Sequence, residues 1–176
     1  MSRAAAGRRA RAARRQARAA RRQTRAALSP QAVAALQAAL AAEQAASYGY
    51  GVVGAHLNAS SVQSRSADAD WVAHQQARDS LTAMITTAGA APVPAPVAYQ
   101  LPVHVQTPAE ARSLAVILEE KVAQAYLGLV ALPEHSLRAI GTRELTASAL
   151  RAAAWRHSTV AFPGLPEQGG KSAAGS

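Results

Sequence analysis

Six ionisable residues fall where helical packing seams would run: Glu43, His74, Arg78, Glu119, Glu144 and Arg151. Two chemistries could use them. Carboxylates and an imidazole converging from several helices can hold iron or manganese. The same acids facing guanidinium groups form a buried ion-pair network instead. A dinuclear carboxylate site in a helix bundle takes a lone Glu from each of two helices and Glu-x-x-His from each of the other two. Glu43 and Glu119 suit the lone positions. The other two segments depart from the pattern, because Trp71 stands three residues before His74 and Ala147 three after Glu144. Arg78 and Arg151 share the seams and would repel a divalent ion. Three acids, two arginines and one titratable His nearly cancel, and burial of a carboxylate is tolerable only when it is paired. The expectation is therefore an internal Glu/His/Arg network without catalytic residues or cofactor. The alternative is a metal-binding oxidoreductase or iron-handling protein using Glu43, His74, Glu119 and Glu144 with iron or manganese.

The elements that must carry these residues are helical. Apolar residues make up 49% of the 176, mostly Ala, and aromatics only 4%, a composition that suits close-packed helices. Ser29-Pro30 is a helix start. The helix it opens runs to about Asn58, with Leu36, Leu40, Glu43, Ser47, Tyr50, Gly54 and Leu57 on one stripe. Gly49, Gly51 and Gly54 suggest close approach of a neighbour. After a Ser-rich loop, a second helix is expected from Ser66–Asp68 to about Gly89, with Trp71, His74, Arg78, Leu81 and Ile85 in its stripe. Residues 89–106 contain four prolines and predict an extended crossover. Thr107-Pro108-Ala109-Glu110 is a capping box. The third helix reaches about Leu132, with Glu119 at the edge of its buried face. The fourth spans about Glu134–Ser158, with Leu137, Ile140, Glu144, Ala147, Ser148, Arg151 and Trp155 on one face.

Four helices with two short links and one long crossover predict an all-α, ferritin-like four-helix bundle over residues 29–162. A basic tail (1–28) precedes it and a flexible Gly/Ser-rich tail (163–176) follows. The +9 charge is concentrated in the first tail: ten of 19 basic residues lie in the first 25 positions, and no acid precedes Glu43. Arg8, Arg15 and Arg22 recur every seven residues, as do Arg11, Arg18 and Arg25. Such a stripe could meet phosphates of a nucleic acid or an anionic surface; the plainer reading is a solvated tail.

The absence of Cys excludes disulfides, thiolate metal sites and Cys nucleophiles. No apolar run is long enough to span a bilayer, and a cytoplasmic protein is expected. A homo-oligomer could form through an exposed helix face. Ser136 beside His135 and Ser158 beside His157 read as polar residues at helix ends, not as parts of a triad; His56 and His104 read the same way.

The segments LQAALAAEQAASYGYGVVGAHL (36–57), AHQQARDSL (73–81), AYQLP (98–102), ARSLAVILEEKVAQAYLGLV (111–130), LRAAAWR (150–156) and FPG (162–164) resemble the actinobacterial ferritin-like proteins grouped as domain of unknown function 4439. The resemblance implies a four-helix ferritin-like bundle with no assigned reaction. It points to Glu43, His74, Arg78, Asp79, Glu119, Arg151, Trp155 and Arg156 as site positions. Two departures stand out: Gln44 replaces a His that usually follows the first-helix Glu, and Gln75 and Ala77 thin out a segment usually richer in Arg.

Overall fold

The computed structural model describes residues 28–158. Expectations for the Arg stripe, for the rest of residues 1–27 and for residues 159–176 lie outside those residues. Four helices account for the described chain: α1 (Pro30–Ala55), α2 (Val62–Thr87), α3 (Pro108–Val130) and α4 (His135–Arg156). No strand occurs among the described residues, so the all-α, four-helix reading stands.

Local chemistry sets the helix ends. The Ser29 hydroxyl accepts from the Ala32 amide, with Pro30 in the first turn. Thr107 and Glu110 cap α3 reciprocally. The start of α2 differs from expectation: Ser61, inside the Ser-rich loop, is its N-cap and accepts from the Ser64 amide at 2.9 Å. The helix thus opens about one turn earlier than Ser66, which takes Asp70 out of the first turn. His157, at φ 60°, ends α4.

Helix α1 packs on α2 and α3, and α3 packs on α4. Because α3 has neighbours on two sides, Glu119 at the edge of its apolar stripe is fully enclosed. Two glycines make this packing possible. A Cβ on Gly49 would meet the Leu118 side chain at 2.5 Å, and one on Gly141 would meet the α3 backbone at Val130 N at 2.9 Å. Gly51 and Gly54, expected to serve the same purpose, face open space.

The link between α2 and α3 climbs the bundle along α1. Gln37 exchanges hydrogen bonds with Ala91 and Val93, and Gln44 donates to the Val93 carbonyl. It begins against one apolar cluster, around Leu36, Ile85, Leu129 and Leu132, and ends against a second, around Val53, Leu114 and Trp155. Between the two clusters lies a polar layer. No helix among the described residues is long and apolar enough to cross a membrane.

Candidate functional site: a buried imidazole between two carboxylates

Glu43 of α1, His74 of α2 and Glu119 of α3 are each no more than 1% exposed. His74 Nδ1 lies 2.6 Å from Glu43 Oε2, and Nε2 lies 3.1 Å from Glu119 Oε1. One imidazole therefore ties two helices through both ring nitrogens. Only the protonated ring can donate from both. Burial opposes that charge, but the hydrogen bonds and negative charges of Glu119 and Glu43 outweigh it and push the His74 pKa up to about 9.

Two tyrosines close the layer. Tyr126 of α3 donates to Glu43 Oε1 at 2.8 Å, and Tyr50 of α1 donates to Glu119 Oε1 at 2.7 Å. Each tyrosine follows the glutamate of its own helix by seven residues, two turns, and reaches the glutamate of the other helix. The layer thus repeats itself about His74. Burial, together with the adjacent carboxylates, pushes both phenol pKa values far up, so both remain donors. On the α4 side, Arg151 donates Nε to Glu119 Oε1 at 2.8 Å and Nη2 to Ser148 Oγ at 3.1 Å. Glu119 Oε1 thereby gathers three donors, while the equally buried Oε2 has no partner among the described residues. Burial alone would raise the Glu119 pKa, yet His74 and Arg151 hold it below its ordinary value.

Asp70 extends the layer outward. Its Oδ2 accepts from the Trp155 indole at 2.9 Å and sits 3.3 Å from the Tyr50 hydroxyl. Burial raises its pKa. Glu43, Glu119 and Asp70 against His74 and Arg151 leave this layer one charge negative when all five are ionised.

Of the residues singled out from sequence, Glu43, His74, Glu119, Arg151 and Trp155 meet. Arg78, Asp79, Glu144 and Arg156 do not join them. Arg78 pairs with its exposed neighbour Asp79 at 2.8 Å, and Glu144 pairs with Arg143 at 2.7 Å. Arg156 pairs with Glu120. Trp71, placed in the α2 stripe, is exposed and donates to the Ser47 carbonyl. Ser136, His135, His157 and Ser158 are exposed. Tyr50, Tyr126, Asp70 and Ser148 were not expected in the layer as site residues. The repeated Glu-x6-Tyr spacing in α1 and α3 is the signal that would have found the tyrosines.

The donor set does not fit a dinuclear cation in this arrangement. Glu144 is absent from it, both nitrogens of the one imidazole are occupied by carboxylates, and a guanidinium lies against Glu119. Among the described residues, no three or more His, Cys, Asp or Glu side chains are grouped as metal ligands would be. Chemically, the layer can fix helix register and store a proton at His74.

Fold and site together define a class: a helical bundle with a buried imidazole–carboxylate–guanidinium layer. The chain belongs to the family described as domain of unknown function DUF4439, whose model matches residues 35–167. It is similar to the conserved hypothetical protein Rv2844 from Mycobacterium tuberculosis, known from a crystal structure. That similarity has 32% identity and a TM-score of 0.69, covering 74% of this chain and 98% of that one. No curated protein matches.

Proposed function

We propose that the protein is a ferritin-like bundle in which protonated His74, with Arg151, holds the place between helix carboxylates that a metal cation would otherwise take. The layer is then structural, and the chain is a non-catalytic helical module. The carrying observation is the double contact of His74, at 2.6 Å and 3.1 Å, to glutamates on two different helices. The ferritin-like reading is supported by two helical hairpins joined through one long crossover, and by the Glu-x6-Tyr spacing repeated in α1 and α3. Expression in iron- and manganese-supplemented medium followed by elemental analysis tests it. Far less than one ion per chain is expected. Stoichiometric iron or manganese, lost on Glu43→Ala, would favour the metal-handling alternative.

A second reading concerns the first 28 residues, which carry ten arginines and no acid. Such a density favours attraction to nucleic-acid phosphates, with affinity falling steeply as salt rises. A DNA mobility shift that weakens with salt and vanishes on deletion of residues 1–28 is the expected result; an undiminished shift removes this reading.

A further inference from the structure

We propose that the cleft between the beginning of α2 and the end of α4 binds a small zwitterion of the α-amino acid class. A cavity of about 260 Å³ lies there, with Asp70, Arg151 and Trp155 among its walls. It is smaller than the roughly 300 Å³ at which drug-sized pockets begin, so its occupant is small.

The two charged walls each keep one atom free. Arg151 spends Nε on Glu119 and Nη2 on Ser148; Nη1 has no hydrogen bond to the described residues. Asp70 accepts from the Trp155 indole on Oδ2, the oxygen that also lies 3.3 Å from the Tyr50 hydroxyl. Its Oδ1 lies 4.0 Å from Arg151 Nε, beyond hydrogen-bond reach. Two side chains of opposite charge, one with an unused donor and the other with an unused acceptor, therefore line the same cavity. Both side chains are held by bonds made through their other atoms, so little ordering is left to binding.

This pairing selects the ligand. A plain anion would meet Asp70, and a plain cation would meet Arg151. A carboxylate accepting from Nη1 and an ammonium donating to Oδ1, one carbon apart, satisfies both. The zwitterion adds no net charge to a layer that is already one charge negative. Val62, Ala154 and the Trp155 ring form an apolar wall, which suits a short aliphatic side chain. The proposal is separate from the metal question, since Asp70 and the cavity lie outside the Glu43–His74–Glu119 bridge.

The test is a titration of the full chain with L-valine, followed through the indole N–H resonance of Trp155 and assigned with Trp71→Phe. N-acetyl-L-valine lacks the ammonium and L-valinamide lacks the carboxylate. Valine should give a saturable shift, and each capped analogue should bind about tenfold or more weakly. Asp70→Asn, which keeps an acceptor for Trp155, should weaken valine by a similar factor and leave N-acetylvaline no weaker, since the repulsion its carboxylate meets at Asp70 is removed. No saturable shift up to about 20 mM valine, or analogues within about threefold of valine, would overturn the proposal. The analogue comparison needs no mutation in the layer and stands even if Asp70→Asn disturbs folding.

Discussion

Replacing His74 by Gln should destabilise the protein in a pH-dependent way. The folded state raises the His74 pKa from 6.5 to about 9. At about 1.36 kcal/mol per tenfold, this corresponds to ~3 kcal/mol of stability. Between those values the folded chain binds a proton that the unfolded chain does not. The stabilisation is therefore complete below pH 6.5 and declines as pH rises through 9. His74→Gln removes the cation and leaves Glu43 and Glu119 facing each other with Arg151 alone, a loss of the kind that costs about 3–5 kcal/mol. The difference between wild type and variant should be about 3–5 kcal/mol near pH 6.5. It should shrink by ~3 kcal/mol above pH 9, where the wild type has lost the same charge. Urea unfolding followed by circular dichroism at several pH values measures this directly. Titrating groups outside the layer cancel in the comparison, whereas Glu119, whose pKa His74 helps hold down, rises in the variant and adds to its loss at low pH. A difference that is constant from pH 6.5 to 9.5, or that grows with pH, would refute the reasoning.

Further expectations concern the same layer and its frame. Tyr126→Phe leaves Glu43 Oε1 without its hydroxyl donor and should cost about 1.5–3 kcal/mol in urea unfolding. Glu119→Gln removes one of the two charges on the imidazole, so the His74 pKa measured by NMR should fall from about 9 toward its ordinary value. Gly141→Ala would drive a methyl group into the α3 backbone and should destabilise by about 1–3 kcal/mol. Gly51→Ala meets nothing within 4 Å at an exposed position of α1 and should stabilise by about 0.5–1 kcal/mol; thermal unfolding of the pair separates the two.

Much of the frame was legible in the sequence because it rests on local chemistry. Ser29-Pro30 and the Thr107–Glu110 box open helices wherever they precede an apolar stripe. The proline run could only be a crossover. Glu43, His74 and Glu119 were legible as polar residues in or beside apolar stripes. The stripes failed where a long or charged side chain had a partner next to it. Arg78 and Glu144 have the spacing of seam residues, but each is only half-buried and pairs with an exposed opposite charge one residue away instead of with the layer. Asp70 was hidden by the misplaced start of α2: a helix opening at Ser66 makes it a first-turn acid, favourable there without a partner, whereas one opening at Val62 puts it inside the helix, where its place one turn before His74 becomes the telling feature. The tyrosines were hidden because their hydroxyls matter across helices, and periodicity within one helix registers only their apolar rings.

The protonation state of His74 is the most direct test of the account. Side-chain nitrogen shifts measured by NMR across pH 5–10 should show both ring nitrogens protonated at pH 7, with titration near 9. A ring that is neutral at pH 7, with one bare nitrogen, would contradict the claim that an imidazolium occupies the space between Glu43 and Glu119.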